Sequence, residues 1–349
     1  MDDALDEALL ALDGFAPEFG PGLSNHGPMA AEALVALGRD EDVAPFVDAY
    51  RRRLVPGPRP GQPLPADQWE QALGRPDRWA DWVALFDRQL ADDLPAEVAA
   101  RWVPRLAPGS IGAATHGLIR TAHALRSLDR AEVDGSPRRH ELAQALAYWA
   151  VRYQELPGPP LLVGHAGVAA ALAGLPVLPE EAAQEGLIAD QVRHLDMVAA
   201  PFEQAVAALA PPGDLHRALA ELAAGGAVAY LANAAEGDAV ALVHAVTAPM
   251  ALDLVLPVVR AEDRQGVFAY AWQAVASIHV AYAPRRPSAD VAAAGEVGHS
   301  PDPAELVAAA VASGDEHAVK LAEAADRAHR VTGHPALPAA VADAATRLG

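Results

Sequence analysis

The chain has 349 residues, 52% hydrophobic and 21% charged, with a formal net charge of −20 and no cysteine. That length allows one large domain or two ordinary ones with a sizeable core. The charge argues against a nucleic-acid backbone or an anionic membrane as partner. The lack of cysteine excludes disulfides, thiolate ligands, iron–sulfur clusters and a cysteine nucleophile.

Aromatic residues are only 5%, and alanine and leucine dominate, a composition that favours helices. The start, Met1-Asp2-Asp3-Ala4-Leu5-Asp6-Glu7, is acidic and lacks the basic and apolar regions of a signal peptide. No apolar run reaches the ~18 residues of a transmembrane helix, so the chain reads as soluble and cytoplasmic. Leucine and alanine recurring every three or four residues predict helices near 3–12, 28–37, 42–53, 78–91, 112–128, 138–154, 187–209, 213–223, 238–256, 262–283, 303–312, 315–332 and 336–347. Val163–Leu175 is short, apolar and broken by glycine, and reads as a helix turn or a buried loop. No series of alternating Val/Ile/Thr-rich segments predicts a substantial sheet. The expected class is all-α, with the site enclosed between helices.

Two proline-rich stretches interrupt this pattern. Leu54–Pro65 holds five prolines and is a loop; Leu156–Pro160 is a shorter break. Either is a possible boundary, but the histidine motifs lie on both sides of both, which favours one helical domain over 1–349. No repeat of 20–50 residues is present, so a solenoid is not indicated.

Of the 26 basic residues, Lys320 is the single lysine. Arginine stays protonated, whereas a buried lysine can lose its proton and act as a base, form a Schiff base or react with CO2. Against this stands chance survival of a solvated lysine. Ser313-Gly314-Asp315-Glu316 fits an S-x-x-E capping box, placing His317 and Lys320 in the first two turns of a helix. Residues three apart share a face, with Cβ atoms roughly 5–6 Å apart.

Among 13 histidines, four have suggestive settings. His26 precedes Gly27-Pro28, and Pro28 suits the first turn of a helix. His116 precedes Gly117, which admits close approach of a backbone or ligand. His244 lies in an apolar helix, in His244-Ala245-Val246-Thr247-Ala248-Pro249, and His317 precedes Lys320. A histidine on an apolar helix is more often a hydrogen-bonded core residue than a ligand, and no H-E-x-x-H or H-x-H spacing occurs. His123, seven residues after His116, is a ligand, a partner of one, a base or, more commonly for such a residue, a core histidine. His279 is the first reserve ligand. His165, between glycines, is placed near a substrate. His140, His194, His216, His299, His329 and His334 read as surface. Asp315 and Glu316 read as helix-capping acids rather than as partners of a metal ligand.

Other chemistries lack support. There is no G-x-G-x-x-G after a strand, no G-x-S-x-G elbow, and the one lysine does not follow a glycine, which excludes a P-loop. The six tryptophans (69, 79, 82, 102, 149 and 272) read as core or lid residues, with Trp79 and Trp82 spaced to form one aromatic wall.

Asn25-His26-Gly27-Pro28, Thr115-His116-Gly117-Leu118-Ile119, His244-Ala245-Val246-Thr247 and Asp315-Glu316-His317-Ala318-Val319-Lys320 together, in this order, resemble the questin oxidase-like family over residues 24 to 334. The resemblance implies an α-helical enzyme that opens a ring of a polyketide anthraquinone with O2. It also implies non-haem Fe(II) held by histidines and a carboxylated lysine. His26, His116, His244 and His317 would be the imidazole ligands and Lys320 the modified lysine, with His317 and Lys320 the catalytic pair; His123 or His279 is an alternative for one member. NADPH is a candidate reductant. The partners expected are an aromatic polyketide and O2, with no nucleic acid or membrane; the oligomeric state is not readable.

The chemistry is coherent on general grounds. Imidazoles suit Fe, Zn, Cu and Ni. A neutral lysine adding CO2 becomes an anionic oxygen ligand, and burial lowers the amine pKa toward that neutral form. Three other readings compete. A zinc hydrolase would use the same ligands, a helical protein could bind an aromatic metabolite without catalysis, and an oxygenase could need a partner reductase.

Overall fold

The computed structural model describes residues 4–65, 67–129, 136–179, 182, 186–234, 239–283 and 302–349. They form two compact units: Met1–Glu155 with Leu254–Asp263, and Leu156–Asp253 with Arg264–Gly349. The proline-rich break at Leu156–Pro160 is where the chain leaves the first unit. Both units are helical, as the alanine- and leucine-rich pattern predicts. Among the described residues the only sheet is a two-residue antiparallel pair, β1 (Glu18–Phe19) and β2 (Leu23–Ser24).

The first unit contains α1 (Ala4–Leu12), α2 (Gly27–Ala36), α3 (Asp40–Tyr50), α4 (Trp79–Asp92), α5 (Pro95–Leu106), α6 (His116–Asp129) and α7 (Ser136–Val151). Helix α7 packs against α4 and α6, while α2 packs against α1, α3 and α6. Buried on nearly every face, α7 carries charged and amide side chains that need partners. Glu141 accepts two bonds from Arg120, at 2.6 and 2.8 Å. Gln144 accepts a third from Arg120 at 3.0 Å, and Arg138 donates to Asp6 and to the Ser127 carbonyl, each at 2.7 Å. Burying a charge is tolerable only with such partners. The Leu54–Pro65 loop is tied down at Gly57, whose amide donates to Gly14 O, and at Gly61 and Gln62, whose amides donate to Asp81.

The second unit contains α8 (Val168–Ala173), α9 (Ile188–Gln191), α10 (Ala199–Ala207), α11 (Leu215–Asn233), α12 (Ala239–Val255, its last two residues counted with the first unit), α13 (Arg264–Tyr282), α14 (Pro303–Ala312), α15 (Glu316–Thr332) and α16 (Ala336–Arg347). Helix α11 is central and packs against α8, α13, α15 and α16.

Several local expectations need correction. Helix α5 was not anticipated, although Pro95 at its start and Val98, Ala99, Trp102, Val103 and Leu106 on its inner face satisfy a helical period. The predicted 187–209 helix divides into α9, a 3-10 turn at Val192–Val198 and α10. Pro201 lacks the amide a continuous helix would need and sits in the first turn of α10. Helix α11 runs ten residues past its expected end at 223, straight through Gly225 and Gly226, which serve packing instead of termination. Val163–Leu175 resolves into a loop followed by α8. Residues 112–115 are not helical, and α6 begins at His116. In the aromatic cluster Trp82 meets Phe86 and Trp102, with ring centroids 5.5 Å away in each case, and Trp69 meets Trp102 at 5.2 Å. Helix α12 with its continuation, Ala239–Val258, is long and apolar enough to cross a membrane, contrary to expectation, but 83% of the window is buried inside the protein.

Candidate functional site

Each unit gathers part of the expected ligand set. In the first unit His26 is the N-cap residue of α2 and His116 opens α6, with ring centroids 4.5 Å apart. Both are buried, at 4% and 5% exposure. The Asn25-His26-Gly27-Pro28 motif builds its own turn. Asn25 Oδ1 accepts the Gly27 amide at 3.0 Å, Asn25 Nδ2 donates to Ala16 O, and Pro28 starts the helix. The His26 amide donates to the Tyr50 hydroxyl at 2.7 Å. Two residues earlier, Ser24 shares a 2.6 Å hydrogen bond with Tyr148, whose hydroxyl donates to Glu18. Burial, together with the Glu18 charge, pushes the Tyr148 hydroxyl well above its ordinary pKa, so it remains a protonated donor.

The approach to His116 is conformationally unusual. Ala113, Ala114 and Thr115 have φ of 48°, 56° and 68°, three consecutive left-handed residues without a glycine. Each such residue costs roughly 1–2 kcal/mol, and strain of this kind persists where surrounding structure enforces it. Its product is a 2.5 Å bond between His116 Nδ1 and Ala113 O. A carbonyl only accepts, so Nδ1 carries the hydrogen and Nε2 keeps its lone pair, the arrangement that presents a histidine to a metal. Gly117 is needed at the next position because a Cβ there would stand 2.5 Å from Trp149 Cα on α7. The close neighbour allowed by this glycine is therefore a backbone.

In the second unit His244, on α12, is 1% exposed and its Nδ1 donates to Val240 O at 2.9 Å, again leaving Nε2 as the lone-pair nitrogen. His317, on α15, has its ring centroid 5.9 Å from that of His244. Lys320 follows one turn later and is 1% exposed, so the solvated reading of the lone lysine is excluded. Burial lowers its amine to a pKa of about 8, against the opposing pull of the Glu316 and Asp315 carboxylates. Burial, then the charges of Lys320 and His317, push His244 well below its ordinary value and keep it neutral.

The capping of α15 differs from expectation. Asp315, not Ser313, is the N-cap; its Oδ1 accepts the amides of His317 and Ala318 at 2.7 and 3.2 Å. Burial alone would raise the Asp315 carboxyl, but the His317 hydrogen bond and charge, with these amides, hold it below the usual range. Asp315 Oδ1 also lies 3.3 Å from His317 Nδ1, so the capping acid orients the ring as well as the helix.

Packing sets the position of His244. Pro249 on α12 has no amide for the carbonyl of Ala245, four residues earlier. Helix α11 meets that carbonyl with Gly226, where a Cβ would stand 2.5 Å from Ala245 O. Proline and glycine thus bring the two helices together beside His244.

The remaining histidines have other surroundings. His123 is buried and bonded to Glu32, and His279 is buried on α13 at 8% exposure. His165 and His216 are exposed, while His140, His194, His329 and His334 are half-buried. His299 lies outside the described residues. Tyr50, Tyr148 and the Ala113 carbonyl carried no sequence signal. The tyrosines act across 24 and 124 residues, and the carbonyl depends on the left-handed turn.

These residues fit a divalent transition metal: three buried imidazoles, two of them with set tautomers, a half-buried His317, and a buried amine able to lose its proton. Among curated proteins no match to the chain is found. The profile described as Questin oxidase-like matches residues 23–325, covering all five expected ligands, and its description is that of an oxidoreductase of oxygenase type. The chain belongs to the questin oxidase-like family.

Proposed function

We propose that His26, His116, His244, His317 and Lys320 hold one ferrous ion and that the enzyme opens a ring of a hydroxylated anthraquinone-type polyketide with O2. His26 and His116 are the first unit's share of this set, and His244, His317 and Lys320 the second's. The observation that carries the reading is the chain's one lysine, buried a single turn after His317, whose ring meets that of His244.

Iron, when bound, supplies the redox chemistry that O2 needs to react with a closed-shell phenol. The rest is asked of the side chains. His116 and His244 present Nε2 because their Nδ1 hydrogens are committed to backbone carbonyls. A pKa of about 8 leaves Lys320 a usable neutral fraction near neutrality. Its Nζ lone pair attacks the carbon of CO2; a C–N bond forms as one C=O π pair moves onto oxygen, and one amine proton passes to solvent, giving a carbamate. The side chain changes from a cation that repels a metal to an anion that holds it. A flat polycyclic substrate suits a site lined by apolar helices.

Elemental mass spectrometry of freshly purified, chelator-free protein is the first test, followed by O2 uptake with hydroxylated anthraquinones. About one iron per chain and O2-dependent ring opening, lost in Lys320→Arg, is the expected result. One zinc per chain with O2-independent turnover would instead indicate a hydrolase. Activity only with continuous NADPH supply would indicate a monooxygenase with external reductant. No metal after anaerobic iron loading, with aromatic ligand binding indifferent to His317→Ala, would leave a binding protein.

A further inference from the structure

Helices α2 and α6 start side by side, His26 at one N-terminus and His116 at the other. Further along the same helices a second contact joins them. His123 Nδ1 lies 2.6 Å from Glu32 Oε2, and Arg126 Nε donates to Glu32 Oε1 at 2.7 Å, with Arg126 Nη2 on Oε2. Glu32 is six residues after His26, and His123 seven after His116, rises of about 9 and 10.5 Å. The two helices are therefore parallel, joined at two rungs: the histidine pair at the top and the Glu32 cluster below it.

The lower rung has a definite protonation state. Burial alone would raise the Glu32 carboxyl, but the hydrogen bonds and charges of His123 and Arg126 hold it below the usual carboxylate range. As an anion Glu32 only accepts, so His123 Nδ1 is the donor. All three side chains are buried or nearly so. A one-turn slip of α6 along α2 would break this rung and separate the two histidine rings together.

We propose that Glu32, His123 and Arg126 are positioning residues that set the register of α6 on α2 and so hold the His26 and His116 rings at ligand spacing for the ion. This deepens the metal-centre reading and rests on it. His123 acts through the helices and is not itself a ligand.

The test compares full-length wild type with His123→Phe, which removes the donor while keeping an aromatic ring and the Arg126–Glu32 pair. Glu32 and His123 border a small cavity. His123→Gln keeps a donor and serves as the conservative rescue; His123→Leu replaces the Phe variant should that not fold. Two readouts are taken: Co(II) titration followed by its visible absorption bands, and imidazole 15N–1H NMR signals of His26 and His116 in the metal-free protein. The expected result is Co(II) affinity at least about tenfold weaker and altered bands in His123→Phe, with His123→Gln within about threefold of wild type. The imidazole signals of both ligands shift in His123→Phe. A folded His123→Phe with wild-type affinity, bands and imidazole signals would overturn the proposal and leave a core ion cluster. If wild type binds no Co(II), the metal-centre reading fails separately. The imidazole signals of the metal-free proteins then decide the positioning role alone, a shift supporting it and no shift overturning it.

Discussion

His116 donates its Nδ1 hydrogen to the carbonyl of Ala113, three residues earlier and 2.5 Å away. The bond exists only because the intervening backbone is left-handed over Ala113–Thr115. A preformed imidazole tautomer is thus obtained at a cost in backbone energy, and that cost is measurable.

Ala113→Gly should stabilise the protein. Relief of a left-handed alanine is worth roughly 1–2 kcal/mol, and the extra chain entropy of glycine takes back about 0.5–1 kcal/mol. A net gain of about 0.5–1 kcal/mol is expected by denaturant unfolding, together with broadened imidazole NMR signals at His116 as the turn loosens. A loss of stability would show that the turn is not strained.

Lys320 gives a pH-dependent prediction with a definite sign. Its pKa falls from the ordinary 10.5 to about 8 in the folded chain. The unfolded chain therefore holds a proton that the folded chain has lost between pH 8 and 10.5, and stability rises with pH across that window. Below pH 8 the full penalty stands, roughly 3 kcal/mol. In metal-free, CO2-free buffer, Lys320→Met should be more stable than wild type at pH 7, by up to that amount, with the difference shrinking by pH 10. Parallel urea titrations at the two pH values check this; a difference independent of pH would refute a buried, titrating amine.

Gly226→Ala should be destabilising by about 1–3 kcal/mol, the usual range for overpacking. Its new methyl would press on the Ala245 carbonyl at 2.5 Å, so the displacement should reach His244. Thermal unfolding reports the first effect and the His244 imidazole NMR signal the second.

The Arg120–Glu141 pair offers a contrast between breaking and replacing buried charges. Arg120 is 2% exposed and bonds Glu141 through two nitrogens. Glu141→Leu should cost about 3–5 kcal/mol by leaving a buried guanidinium without its anion, whereas the double variant Arg120→Met/Glu141→Met should cost far less. A double-mutant cycle measures the difference.

Local chemistry was legible along the chain. The helical periods of α1, α4 and α14 to α16, the Pro28 helix start, the close approach at Gly117 and the singular Lys320 all depend on residues within a few positions of one another. The failures have a common cause as well. Gly225 and Gly226 look like a helix end, but they are packing surfaces, Gly225 against Leu172 of α8 and Gly226 against Ala245 of α12. Ser313 looks like a cap, but Asp315 takes that place once the backbone turns. In each case a tertiary neighbour or a backbone torsion, absent from a one-dimensional pattern, decides between two locally acceptable states.

The sequence by itself determined the helical class and the family, because composition, period and motif are properties of short stretches. Only the tertiary structure decided that His26 and His116 meet as rings 4.5 Å apart, that His123 serves Glu32 across 91 residues, and that Lys320 is buried enough to lose its proton. Those outcomes depend on which helix faces pack together and how far water is excluded. Both are set by contacts between residues far apart in the chain.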